Sequence, residues 1–211
     1  MGSLGLLYCE TLQREITDIL ASEAYPLLLS RSFSRHCMKN GTNNNPLTEP
    51  LGYLTTRCDR ILIIGCGCMH GLSTEVLDSV EIIIPDLFRD ILFPESFVDE
   101  QRKMGAYCMV PDNFLRFADF FSCQGFDDTT LATFLAESIQ SIILADTGSW
   151  KIPDEFIQKF FSQYQVPVTV IPVGIKPISG YIRVQYLEWF LLREQEEHTK
   201  HLLSARKKTA D

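Results

Sequence analysis

The sequence predicts an α/β protein: a Rossmann-like, three-layer sandwich with a mostly parallel sheet between helices. Three observations carry this prediction. Continuous apolar runs rich in Ile and Leu, such as Ile61 to Ile64 and Ile142 to Ala145, read as strands covered on both faces. Segments with apolar residues at helical spacing lie between them. The two kinds of segment alternate along most of the chain, which is the pattern of strands joined by crossover helices.

Gly5 to Cys9 reads as a short buried strand. A helix follows, with Leu12, Ile16, Ile19 and Leu20 on one face. Tyr25 to Ser30 reads as the second strand. Arg31 to Pro50 is polar and contains Asn43-Asn44-Asn45-Pro46, which is turn chemistry and predicts a long loop. Arg60 to Gly65 is the clearest strand, and Glu81 to Pro85 is another. Leu72 to Leu77 has room for one or two helical turns between them.

Gly105 to Val110 reads as a strand. Pro111 and Asp112 then open a helix, with Pro in the first turn and an acid beside it. Phe114, Phe117, Phe120 and Phe121 recur at helical spacing and read as core, or as a docking face if exposed. Asp127 and Asp128 start a helix to about Ser138; Ser141 to Ala145 is a buried strand. Pro153-Asp154-Glu155 opens a helix whose inner face carries Phe156, Phe160 and Tyr164. Val166 to Val173 is the last strand, and a final helix runs from about Tyr181. Residues 1–192 are expected to form one domain and 193–211 a charged helix end that frays.

The net charge is −8, and the first basic run is Arg206-Lys207-Lys208. Nucleic-acid binding needs a basic footprint, so that class is set aside. No apolar run approaches the roughly 18 residues of a membrane span, and Met1 to Tyr8 lacks an export signal. A cytoplasmic location follows as the expectation. There the seven cysteines stay reduced, and serve as core residues, metal ligands or nucleophiles.

Ligands of parallel sheets bind outside the carboxyl ends of the strands. The residues just past the predicted strands are Cys9-Glu10, Ser30-Arg31, Cys66 to His70, Asp86 and Asp146-Thr147-Gly148. The densest of these segments is Gly65-Cys66-Gly67-Cys68-Met69-His70-Gly71. Gly65, Gly67 and Gly71 free the backbone to approach a ligand. Cys66, Cys68 and His70 supply soft donors for zinc or another thiophilic metal. Cys9 adds a fourth donor if the first and third strands are neighbours. The same residues also suit a tight turn with small packing side chains, and Cys-x-Cys-x-His is not the spacing of familiar structural zinc sites.

A cofactor reading stays open beside the metal. Ile-Ile-Gly-Cys-Gly, with Asp86 after the next strand, looks like the first motif of S-adenosylmethionine-dependent methyltransferases. The glycines would admit the cofactor and the acid would hold its ribose. The glycine spacing is one residue too long for G-x-G-x-x-G, and the strand comes third in the chain. Asp146-Thr147-Gly148 would bind a metal or a substrate hydroxyl, with Asp146 and Gly148 at the cofactor, or form an ordinary turn. Cys9 followed by a helix also suits an activated thiol or an inert buried one. His36-Cys37 reads as a solvated loop, and His198 and His201 as surface residues.

Several separated pieces, taken in order, resemble the domain of unknown function 1638 family of bacterial and archaeal proteins. They are Cys9-Glu10 with Leu12 and Arg14-Glu15, Asn44 and Pro46, the turn Gly65 to Gly71, Ile84-Pro85, Gly105-Ala106-Tyr107 with Pro111, and Asp146-Thr147-Gly148. The chain departs from the family where an Arg-x-His-Asp-Cys cluster is expected, since it has Asp86-Leu87-Phe88-Arg89-Asp90. Asn43 stands where the family has a loop histidine. Cys9 and Cys68 are the cysteines the resemblance carries over; Cys66 and His70 are additional. The resemblance implies no established activity. Its context suggests an accessory role in one-carbon metabolism using corrinoid-dependent methyl transfer. A protein-interaction module without catalysis is the contrasting expectation.

Overall fold

The structure is a computed structural model that describes residues 2–34, 47–65, 81–83, 91–122 and 125–208. The strands are β1 (Ser3–Cys9), β2 (Leu28–Phe33), β3 (Cys58–Ile64), β4 (Glu81–Ile83), β5 (Ala106–Met109), β6 (Ser141–Asp146) and β7 (Val168–Pro172). The helices are α1 (Gln13–Ser22), α2 (Thr48–Thr55), α3 (Glu95–Lys103), α4 (Pro111–Leu115), α5 (Phe117–Ser122), α6 (Asp128–Ser138), α7 (Asp154–Tyr164) and α8 (Lys176–Lys208). A 3-10 turn, Glu10–Leu12, joins β1 to α1.

Among the described residues every strand pairing is parallel. This is the α/β, Rossmann-like class that the alternating pattern predicts. Among the described residues the strands divide into two sheets, in the orders β2-β1-β3-β4 and β5-β6-β7. Local periodicity identifies a strand but not the sheet it joins, which explains why the sequence suggested only one.

Alternate side chains of a strand point to opposite faces, and three core layers result. Leu7 and Cys9 of β1 pack with Ile61 and Ile63 of β3 and with Phe33, Leu47 and Leu54. Leu6, Tyr8, Leu62 and Ile64 face the other way, into a core shared with Ile143 and Ala145 of β6. Leu12, Ile16 and Ile19 of α1 and Ile178 and Ile182 of α8 fill that shared core. Ile142 and Leu144 of β6 face a third, aromatic layer built by α4 to α7. Each fully buried Leu or Ile contributes roughly 1.5–3 kcal/mol, so the middle layer binds the two sheets strongly.

Element starts follow local chemistry. Asp127 caps α6 in a reciprocal box: its carboxylate accepts from the Thr130 backbone N–H at 2.7 Å, and its own N–H donates to Thr130 Oγ1 at 2.9 Å. Pro111 occupies the first turn of α4, where its missing N–H costs nothing. Two helices were not anticipated. α2 begins at Thr48, within the last residues of the predicted long loop, and runs past it to Thr55, with Pro50 and Gly52 diluting its signal. α3 buries only Val98. The last helix starts five residues earlier than expected and continues to Lys208. It is anchored by Trp189, whose indole N–H donates to Asp59 Oδ1 at 2.8 Å, while residues 198–200 are exposed. Among the described residues no helix is long and apolar enough to cross a membrane.

Candidate functional site

The carboxyl ends of β1 and β6 are joined through one buried side-chain contact. β1 feeds directly into the 3-10 turn and α1, whose first turn carries Glu15. β6 ends at Asp146, and the next residue, Thr147, donates from Oγ1 to Glu15 Oε1 at 2.8 Å. Both residues are buried, Glu15 completely. A carboxyl group on the apolar face of a helix is costly when charged. Burial accordingly pushes the Glu15 pKa up, and the negative field of Asp112 adds to this. Its own backbone N–H, Thr147 and the Trp150 indole oppose the rise. The Trp150 N–H faces the carboxyl without reaching hydrogen-bonding geometry, and Oε2 of Glu15 has no hydrogen-bond partner.

Other groups gather at the same edge. Asp112 is buried in the first turn of α4, after β5, with the Arg116 guanidinium 3.6 Å from its Oδ1. The Arg14 guanidinium lies 3.9 Å from the centre of the Trp150 ring, a cation–π contact. Ser149 Oγ is buried and lacks a hydrogen-bond partner. A carboxyl whose protonated form burial favours, hydroxyls and an indole N–H gather where the two sheets meet. Such a set can orient a small polar ligand or pass it a proton.

The predicted site residues fall in three groups. Asp146 and Gly148 are at this edge, and they form a turn: Asp146 Oδ1 accepts from the Gly148 N–H at 2.9 Å. Gly148 has φ +77°, in the left-handed region, and open space surrounds the place of a Cβ. The Asp146 carbonyl accepts from Val173 and Gly174 N–H, tying the turn to the end of β7. Cys9 and Gly65 are at the ends of adjacent strands. β1 pairs with β3 as the metal reading requires, and Tyr8 is level with Ile64. Cys9 is fully buried beside Phe33, Leu47 and Leu54, and its thiol donates to Thr11 Oγ1 at 3.4 Å. Cys66, Gly67, Cys68, His70, Gly71 and Asp86 lie outside the described residues, as do His36, Cys37 and Asn43 to Pro46. Among the described residues no group of three His, Cys, Asp or Glu side chains is disposed to hold a metal.

Phe114, Phe117 and Phe121 are core, as one of the two expectations for that stretch held; the Phe120 side chain lies outside the described residues. His198 is exposed. Glu15 and Asp112 entered the sequence reading only as a family-like residue and a helix opener. The spacing Leu12, Glu15, Ile16, Ile19 puts an acid on the buried stripe of an amphipathic helix, and that signal was available in the sequence.

The fold and this edge define a parallel α/β protein with strand ends meeting across a buried acid. No protein-family model and no curated protein matches the chain. Among solved structures it is similar to a Gly-to-Cys mutant of arylmalonate decarboxylase in a sulfate-associated form, at TM-score 0.32 and 11% identity. That match covers 87% of this chain and 92% of the other. A LacI-family transcriptional regulatory protein from Corynebacterium glutamicum matches at TM-score 0.33 and 11% identity, over 80% and 75% of the two chains.

Proposed function

We propose that this protein binds a small cofactor or a thiophilic metal ion at the strand-end edge where β1, β3 and β6 finish. The observation that carries the reading is the buried Thr147–Glu15 hydrogen bond, which draws the carboxyl ends of strands from two different sheets to one place. Ligands of parallel α/β folds sit at such edges. The pairing of β1 with β3 supports the ligand set Cys9, Cys66, Cys68 and His70, because Cys9 ends the strand beside the one that runs into Gly65. Glu15 supplies a carboxyl held toward its neutral form, and the Asp146 turn supplies the rim. The proposal includes a cytoplasmic setting, where the thiols stay reduced. The resemblance to the domain of unknown function 1638 family extends it to an accessory role in one-carbon metabolism.

Elemental analysis of protein purified without a metal-affinity tag tests the metal. About one equivalent of zinc in the wild type, lost in Cys68→Ser, is the expected result. Less than about a tenth of an equivalent of any transition metal rejects the metal, since a true thiolate site holds zinc tightly. Calorimetry with S-adenosylmethionine tests the cofactor alternative: saturable binding lost in a Gly67→Val variant would make the edge a methyltransferase-type site instead.

A further inference from the structure

Thr147 to Pro153 crosses from β6 to α7 without regular structure and closes over the first turn of α1. Its base is fixed: the Asp146 carbonyl accepts from the Val173 and Gly174 N–H groups. Its far end is held by Ile152, which packs on the aromatic layer. Between these anchors the segment is loosely tied. Among the described residues the backbone of Ser149 to Ile152 makes no hydrogen bond. Two side-chain contacts close it: the Thr147 hydroxyl on Glu15 Oε1, and the Trp150 ring against the Arg14 guanidinium. Gly148, at φ +77° with open space around it, is a point where the backbone can turn.

The closed contact leaves polar atoms dry. Glu15 Oε2, Ser149 Oγ and the Trp150 indole nitrogen are all buried without a hydrogen-bond partner, and no ligand reaches them while the segment lies in place. Buried polar atoms in native structures nearly always have partners, so each exception needs a reason. Three exceptions at one joint share one: the joint opens, and water then reaches all three. Ionisation of Glu15 sharpens this, because a buried carboxylate costs far more than a buried acid. Among the described residues the charged groups nearby give little relief. Asp112 on α4 acts on Glu15 with a negative field, Arg116 on α4 is paired with Asp112, Arg14 on α1 is held on the Trp150 ring, and Asp146 accepts from the Gly148 N–H.

We infer that Thr147 to Ile152 is a lid over the strand-end edge, closed while Glu15 carries its proton and opened when that carboxyl ionises. The lid turns on Gly148 and parts the Thr147–Glu15 bond and the Trp150–Arg14 contact together. It gates the edge proposed above as the binding site, and rests on that reading for what enters. The coupling follows from linkage. Burial raises the Glu15 pKa in the closed form, and the group returns toward its ordinary 4.5 when water reaches it. Each pH unit above 4.5 then moves the closed-to-open ratio about tenfold toward open, until the covered carboxyl itself ionises.

Acrylamide quenching of Trp150 fluorescence reads the lid on the full chain, with no metal or cofactor needed. The chain has two tryptophans, and Trp189 is buried, so the difference between wild type and Trp150→Phe belongs to Trp150. Its quenching constant should rise at least about threefold from about pH 4.5 to about pH 8, as a shift from closed toward open requires. In Glu15→Gln it should stay at the low value throughout. Arg14→Gln keeps the carboxyl and loses the clasp, so it should raise quenching at the acid end about twofold, the size of an exposed cation–π contact. Three results overturn the inference: wild-type quenching that does not change with pH, a rise of the same size in Glu15→Gln, or acid-end quenching unmoved by Arg14→Gln. The lid and its ligand fail separately. Protein without metal whose Trp150 opens with pH keeps the lid and loses the metal, and metal-loaded protein with flat quenching does the reverse.

Discussion

The two ends of α1 carry one glutamate each, and the structure treats them in opposite ways. Glu15, in the first turn, is fully buried against Thr147, and burial raises its pKa above the ordinary 4.5. Glu23, just past the last turn, is half-buried among Ser179, Tyr25 and Arg183. The Ser179 and Tyr25 hydroxyls both donate to it, and Arg183 adds a salt bridge at 2.8 Å; together they lower its pKa to about 2. Both residues tie α1 to a distant part of the chain. Glu23 does so with its charge satisfied, which is the chemistry of a clamp between α1 and α8. Glu15 does so with its charge opposed and one oxygen unpartnered, which is the chemistry of a site.

The largest expected effect comes from opening the core that α1 fills next to Glu15. Ile16 is fully buried beside it in the chain. Ile16→Ala should cost about 2–5 kcal/mol in urea unfolding and bring the Glu15 pKa back toward 4.5. A destabilised variant whose Glu15 pKa stays raised would show that Ile16 does not keep water from the carboxyl.

Thr147→Val comes next. It keeps the shape of the side chain and removes the donor, leaving Glu15 Oε1 buried and unpaired. A loss of about 1–3 kcal/mol is expected. A neutral result would mean that the bond does not hold the two strand ends together.

The smallest effects are in pH dependence, and their signs differ. Glu15 has a raised folded pKa, so the folded state holds its proton more tightly than the unfolded chain does. Its contribution is fully present below 4.5 and declines as pH rises through the folded value. Glu15→Gln should therefore flatten that decline and gain on wild type at neutral pH. Glu23 has a depressed folded pKa, so its contribution is present above 4.5 and is lost as pH falls toward about 2. Glu23→Gln should lower the melting temperature slightly at pH 7 and leave it unchanged at pH 2. Arg183 is largely exposed, so solvent screens that pair and the shift stays small.

The same contrast explains how much of the molecule was legible in the sequence. β1, β3 and β6 were readable because strands buried on both faces are unbroken apolar runs, and their ends differ from expectation by a residue or two. α2 was hidden by Pro50 and Gly52, and the start of α8 by Pro177 and Gly180, all poor helix formers that tertiary packing overrides. The division into two sheets depends on contacts between β1, α1 and β6, which are remote in the chain. At the site, Asp146 and Gly148 were found from their place after a strand, and the turn they make is the one such residues favour. Glu15 is hidden from the strand-end pattern because it does not stand beside the strand in the chain. Its carboxyl reaches the edge from six positions further on, and only Thr147, 132 residues away, reveals its role.

The most direct test is a carbon-13 NMR titration of the two side-chain carboxyls in one sample. Glu15 is expected to titrate above 4.5 and Glu23 near 2. A Glu15 carboxyl that titrates at or below 4.5 would contradict this, because that group would then be solvated and the ends of β1 and β6 would not close around it.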